Sequence, residues 1–157
     1  MMKTIFRLPQ FLLEAVSAPL LNNVALSDPS QILDNGTDVY MKRWYIERST
    51  DDGNVYLHHT LRSDYDPQHH DHPWDNLSIW LKGTGYEEVV TSTGKTEVLE
   101  RLPGTVVFRT AEQRHRILVE EPTWTLFLTG PKIREWGFLD DGRWIHNQEF
   151  FKMRGYS

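Results

Sequence analysis

Three of the seven histidines in this chain fall within four consecutive positions, and neutral imidazoles are common ligands of transition metals. They lie in residues 67–76, which read PQHHDHPWDN. In an extended segment alternate side chains point to the same side, so His70 and His72 can reach one ion at about 2.0–2.2 Å. His69 then points away. The spacing predicts two ligands of a metal site.

A third ligand is expected from His115. Residues 105–109 have the pattern of a strand, a short loop follows, and His115 opens a further strand with Ile117 and Val119 on the same alternating face. Three histidines from two strands form a facial site with open positions. Such a site suits Fe(II), and also Ni, Mn or Zn.

Together these segments resemble the two motifs of the cupin superfamily. The first motif has His-x-His, an acid and a later Gly, which His70, His72 and Gly83 match; the second runs from a Gly through a strand to a His, which residues 104–115 match. The HDHPWD run, with Gly-Pro-Lys at 130–132 and Trp-Gly-Phe at 136–138, looks like a little-characterised, cysteine-dioxygenase-like branch. The resemblance implies a jelly-roll barrel that holds one divalent metal, with Fe(II) expected first.

The acid of the first motif departs from the family pattern. Its glutamate would fall at Asn76 or Leu77, whereas Asp75 lies one place early. Strict alternation from the histidines turns even-numbered residues inward, but the apolar residues of this strand are odd-numbered, as is Asp75. A bulge at Pro73 would switch the parity. We favour Asp75 inward, and both a direct Asp75 ligand and a site of three histidines alone stay open.

Four further side chains are candidates for substrate binding. Arg62 precedes the histidine segment and Arg109 leads to His115, and an arginine can hold a carboxylate or phosphate through two parallel hydrogen bonds. Trp80 and Tyr86 offer flat surfaces for stacking. The ordinary alternatives are solvated arginines and aromatic residues of the core.

From residue 37 onward, short runs of β-forming residues alternate with turn signals, which predicts an all-β antiparallel sandwich or barrel. An Asp52-Gly53 step marks a hairpin. Residues 136–151 are expected to form a closing strand and an aromatic tail. The predicted strands cover residues 39–48, 55–62, 77–81, 86–91, 95–101, 105–109, 116–120 and 124–129.

Residues 1–36 are expected to form a short helical segment packed on a barrel of residues 37–157, the two making one domain. One helix should follow Pro9, because apolar residues recur there at helical spacing. A second should begin at Ser27-Asp28-Pro29 and end at Gly36.

Composition narrows the range of functions. The chain has 157 residues, no cysteine and a formal net charge of −5. Disulfides, thiolate zinc sites and cysteine nucleophiles are therefore excluded, and binding to nucleic acid is not expected. No signal peptide or apolar span is recognised, so a cytoplasmic protein without membrane contact is expected. The aromatic tail suggests a homodimer contact.

The leading functional hypothesis is a small-molecule Fe(II) oxygenase, dioxygenase-like, with His70, His72 and His115 on the metal. Thiol oxidation is not assigned, because no cysteine is present for the thioether crosslink that some cysteine dioxygenases carry. Two alternatives are a non-catalytic metal-dependent ligand-binding protein and a metal-assisted isomerase of a sugar or keto acid. The isomerase would need a base such as His59 or Tyr86.

Overall fold

The computed structural model describes residues 2–49 and 51–156, with far more strand than helix. One 3₁₀ turn spans Val24–Leu26. The other elements, in chain order, are β1 (Met2–Arg7), α1 (Gln10–Asn22), β2 (Gln31–Asp34), β3 (Val39–Ser49), β4 (Gly53–Thr60), β5 (His69–His70), β6 (Asn76–Lys82), β7 (Gly85–Val90), β8 (Thr96–Arg101), β9 (Thr105–Arg109), β10 (His115–Val119), β11 (Thr123–Thr129), β12 (Gly137–Asp140), β13 (Arg143–His146) and α2 (Asn147–Arg154).

The strands form two antiparallel sheets. The first has the order β1-β9-β6-β11-β4-β3-β2, and the second has the order β13-β12-β5-β10-β7-β8. Side chains from both sheets line one cavity. This confirms the predicted all-β architecture, and each predicted strand run in residues 39–129 is found within two residues of its expected bounds.

The outer face of the first sheet packs against α1, and its inner face lines the cavity. Helix α1 packs Leu13 against Trp44, Leu57 and Leu81 on the outer face. The alternate residues of the same strands face the cavity, because successive side chains of a strand point to opposite sides. Strand register aligns a row of them across the inner face, namely Trp80, Thr125, His58 and Arg43.

The first predicted helix is confirmed, but the second is wrong. Residues 31–34 form β2, which pairs with β3, and a turn joins the two strands. Asp34 Oδ1 accepts a hydrogen bond from Gly36 N at 2.8 Å, and Asn35 Oδ1 accepts one from Asp38 N at 3.0 Å. Asn35-Gly36 is thus a hairpin turn, which the Ser-Asp-Pro helix signal upstream had obscured.

The ends of the chain also differ from expectation. Strand β1, on the edge of the first sheet, was not predicted, and neither was α2 within the expected tail. His146 caps α2 through Nδ1, which accepts from Gln148 N at 3.2 Å, and Gly155 ends the helix with a φ of 73°. Within the described residues, no helix has the length and apolar character that spanning a bilayer requires.

Candidate metal centre

The second sheet and the segment after it bring three predicted ligands together. His70, in the two-residue strand β5, is directly opposite His115 at the start of β10. His72 follows where the chain leaves β5, and the three residues offer nitrogen atoms within 4.8 Å of one another. His72 Nε2 and His115 Nε2 are 3.3 Å apart. Two ligands about 2.1 Å from one ion and 90–110° apart would be separated by about 3.0–3.5 Å, so this spacing fits a shared metal.

The protonation state also fits a metal. Burial, together with the neighbouring His115, lowers the pKa of His70 to about 4 and holds the pKa of His72 well below its ordinary value. Both imidazoles are therefore neutral near pH 7. Because a ligating histidine must be deprotonated, the group is ready to bind a cation.

Glu87, which the sequence did not single out, lies directly behind His115. It is on β7 with no exposed surface, and its Oε1 is 2.6 Å from His115 Nδ1. Burial alone would raise the pKa of Glu87, but Arg109 and the hydrogen bond with His115 hold it well below its usual range. The residue is thus a buried carboxylate that contacts a predicted metal ligand.

Arg109 serves this carboxylate. Its Nε and Nη2 donate to Glu87 at 2.5 and 3.0 Å, and its Nη1 donates to Asn76 Oδ1 and Ser78 Oγ at 3.0 and 2.8 Å. The side chain lines the cavity, but it is 1% exposed and four of its five N–H groups are engaged. The prediction that Arg109 clamps a substrate is corrected: its guanidinium holds Glu87.

Asp71, between the two ligands His70 and His72, ties the histidine segment to the closing hairpin β12–β13. Its carboxylate accepts hydrogen bonds from Gly137 N at 2.7 Å and Trp144 Nε1 at 2.9 Å, and it pairs with Arg134 Nη1 at 2.8 Å. Only 1% of Asp71 is exposed. A satisfied buried carboxylate therefore fixes the backbone that carries the ligands.

The structure does not bring Asp75 to the histidines. Its Oδ1 accepts a hydrogen bond from Ala111 N at 2.7 Å, and it is absent from the cluster that His70, His72 and His115 form. The predicted inward parity is wrong, because α1 covers the odd-numbered apolar residues of β6 from outside while Ser78 and Trp80 line the cavity. Among the described residues, the cluster consists of histidines alone.

The cavity beside the histidines has a volume of about 580 Å³. Trp80 lines it, and its contact with a substrate stays a prediction. Arg62 and Tyr86 do not line it: Arg62 pairs with Asp38 at the surface, and Tyr86 lies near Glu120. The proposed alternative base His59 is also outside, stacked on Trp124 with ring centroids 3.8 Å apart. Aromatic wall residues are Trp74, Phe127, Trp136, Phe138 and Phe151.

A second polar cluster on the cavity wall, here called the Arg43 site, consists of Arg43 and His58. Arg43 Nε donates to His58 Nε2 at 2.9 Å, so the neutral imidazole carries its proton on Nδ1. Arg43 Nη1 donates to Gln31 Oε1 at 3.1 Å, and no described carboxylate forms an ion pair with Arg43. In the sequence, only the strand patterns of β3 and β4 pointed toward this site. The pairing of these two strands places Arg43 and His58 side by side.

Comparison with known proteins defines the fold. No family model matches the chain, and no curated protein matches it. Solved structures do match. The DMSP lyase DddQ from Ruegeria pomeroyi DSS-3 has a TM-score of 0.58 and 14% identity over 85% of this chain and 79% of that one. The fold is a cupin jelly roll.

Two oxalate decarboxylases show the same cupin fold. The Bacillus subtilis enzyme, described with Mn(II) centres, has a TM-score of 0.53 and 14% identity, covering 73% of this chain and 30% of that one. The Lactobacillus farciminis enzyme, in a formate complex, has a TM-score of 0.53 and 15% identity, covering 69% and 33%. This chain thus spans about a third of either decarboxylase. At such identities the likeness concerns the fold.

Proposed function

We propose that this protein is a metal-dependent cupin enzyme that oxidises a small molecule with dioxygen at an Fe(II) centre. The observation that carries the proposal is the set of three histidines whose nitrogen atoms converge on one side of a cavity of about 580 Å³. With no carboxylate in the cluster, three protein ligands leave positions for exogenous ones. The oxalate decarboxylase with Mn(II) centres supports divalent-metal chemistry on this fold.

His70, His72 and His115 would hold the metal. Bound Fe(II) would supply a redox couple and open coordination positions. The protein's own residues position the three histidines and shield them from water. Trp74 stacks on His72 with ring centroids 5.3 Å apart, and Phe138 lies 5.8 Å from His70. These rings limit water around the ligands and give a substrate an apolar surface.

The Arg43 site indicates the substrate class. A partly buried guanidinium with no carboxylate partner in the described chain has a positive charge that a ligand can neutralise. Arg43 lies on the first sheet, His70 and His115 lie on the second, and all three line the same cavity. We propose a substrate that presents a carboxylate to Arg43 and its reacting carbon to the metal.

Metal binding and its open positions are tested with Fe(II) under anaerobic conditions. Nitric oxide, a dioxygen surrogate, should give the high-spin paramagnetic signal of an open ferrous site. His115→Ala should lose stoichiometric iron, whereas His69→Ala should retain it, since His69 lies outside the cluster. Retained metal in His115→Ala would refute the ligand assignment, and a nitric-oxide-silent iron would indicate a saturated, non-catalytic site.

One observation favours a second candidate, a metal-assisted lyase or isomerase. The Tyr40 hydroxyl donates to Asp64 Oδ1, both residues line the cavity, and Asp64 Oδ2 is 4.0 Å from His70 Nδ1. Such a pair could move a proton to or from a substrate. Turnover of a carboxylate panel with and without dioxygen separates the candidates. Oxygen uptake coupled to product supports the oxygenase, and anaerobic turnover supports the alternative.

Substrate charge is tested with benzoate and its neutral analogue benzamide. Ligand-observed NMR on the Zn(II)-loaded protein, which is redox-inert, should show that benzoate binds at least about 10-fold more tightly, as one charge-assisted contact provides. Arg43→Met should remove that preference. A preference that survives in Arg43→Met but disappears without metal would place the carboxylate on the ion instead.

A further inference from the structure

Glu87 is hydrogen-bonded to three side chains from three other strands. Its Oε1 is hydrogen-bonded with His115 Nδ1 and Arg109 Nε, and its Oε2 accepts from Arg101 Nε at 2.9 Å and Arg109 Nη2 at 3.0 Å. These partners come from β8, β9 and β10, and Glu87 itself is on β7. We call Glu87, Arg101, Arg109 and His115 the Glu87 cluster.

The cluster fixes which nitrogen of His115 is available. An anionic carboxylate can only accept hydrogen bonds, so the contact at 2.6 Å places the His115 proton on Nδ1. In the neutral imidazole the lone pair is then on Nε2, which is the atom that lies 3.3 Å from His72 Nε2. The correct tautomer is therefore selected before any ion arrives.

Two arginines also donate to the carboxylate that is bonded to His115. A carboxylate bonded to a ligating imidazole makes that imidazole a stronger donor, and such partners typically account for 10- to 100-fold in metal affinity. Here two guanidinium groups, 1% and 3% exposed, share the same carboxylate. Because both oxygens are engaged by these donors, Glu87 is also kept away from the ion.

We propose that Glu87 is a positioning residue for the metal centre, selecting Nε2 of His115, and that Arg101 and Arg109 moderate its electron donation. The proposal rests on the proposed metal site for its consequences and on the hydrogen bonds within the cluster for its cause. It gives the site an acidic residue that acts through a histidine, where the described cluster consists of histidines alone.

The first test uses the metal-free protein. Long-range proton–nitrogen NMR should show His115 as the Nδ1–H tautomer in the wild type and a mixed or reversed tautomer in Glu87→Gln, whose amide can also donate. A wild-type His115 protonated on Nε2 would overturn the proposal. This readout does not require metal binding, so it remains decisive if the proposed function fails.

The second test measures Zn(II) affinity by competition with a chelator. Glu87→Gln should bind about 10- to 100-fold more weakly with unchanged stoichiometry, whereas His115→Ala should bind no stoichiometric metal. Arg101→Met keeps the Glu87–His115 contact and should bind as tightly as the wild type or more so. Equal affinity of folded Glu87→Gln and wild type would overturn the proposal.

The third readout is the reduction potential of the iron-loaded protein, which a purely structural role would not move in opposite directions. Glu87→Gln should raise the potential, because less negative charge reaches His115, and Arg101→Met should lower it. Shifts of the same sign in both folded variants would refute the electronic part of the proposal. Circular dichroism and thermal unfolding establish that each variant is folded.

Discussion

Two arginines that line the same cavity have opposite surroundings. Arg109, in the Glu87 cluster, donates four hydrogen bonds and shares a fully buried carboxylate. Arg43 donates to a neutral histidine and an amide, and no described acid pairs with it. Burial lowers the pKa of Arg43, against the opposing influence of nearby tyrosines, including Tyr56. A cation paired with a buried acid maintains structure, whereas one without an acid partner in the described chain is available to the carboxylate of a ligand.

Replacing each arginine with methionine should lower the free energy of unfolding by unequal amounts. Arg109→Met leaves the buried Glu87 with fewer partners and should lower the free energy of unfolding by about 3–5 kcal/mol. Arg43→Met removes no ion pair but takes away the donors to His58 and Gln31, and should cost about 1–2 kcal/mol. Urea denaturation of the metal-free proteins measures both. Similar losses would show that Arg43 is structural as well.

As the pH is lowered, the stabilising contributions of His58, His70 and His72 should be lost before that of Glu87. Burial lowers the pKa of His58, His70 and His72, so below about pH 6.5 the unfolded chain takes up protons that the folded protein does not. The free energy of unfolding should therefore decrease as the pH is lowered. For His70, whose pKa is about 4, the loss reaches about 2 kcal/mol at pH 5.

Denaturation of the metal-free protein between about pH 7 and pH 5 provides the measurement. Glu87 acts with the same sign, because its pKa is lowered, but its contribution is lost only below the ordinary pKa of a glutamate. His58→Gln should reduce the slope and can still accept from Arg43. A stability that rises toward pH 5 would contradict the assignment of neutral buried histidines.

The smallest effect is expected at Asp75, which belongs to neither cluster. Asp75→Asn keeps an oxygen that can accept from Ala111 N, so the metal stoichiometry and affinity should be unchanged. The free energy of unfolding should fall by about 1 kcal/mol as a charged acceptor becomes neutral. A large loss of metal affinity in Asp75→Asn would restore the acid as a participant in the site.

Local patterns predicted the strands and the three histidines well, because alternation and turn residues act over a few positions. The predicted second helix failed where two local signals competed, and the Asn35-Gly36 hairpin turn prevailed. The parity of β6 failed for a different reason. An apolar face was assumed to point into the barrel, but here α1 covers it from outside, and Ser78 and Trp80 line the cavity instead.

Glu87 and the Arg43 site were missed because their roles depend on contacts between strands. In the sequence, Glu87 is one acid among several. The packing of β8, β9 and β10 around it brings two arginines and His115 into contact with it. Arg62 and Arg109 were nearer to the histidines in sequence and were preferred for that reason. Only the packed structure shows that Arg109 is occupied and that Arg43 has no carboxylate partner in the described chain.

Asp71 gives the site an order of assembly. It lies between two ligands, yet its hydrogen-bonding partners are Arg134, Gly137 and Trp144, which are made much later on the ribosome. The nascent chain thus carries His70, His72 and His115 well before the backbone around them can be held in place. Because a preformed metal site rarely exists in an unfolded chain, metal loading should follow the folding of the last hairpin.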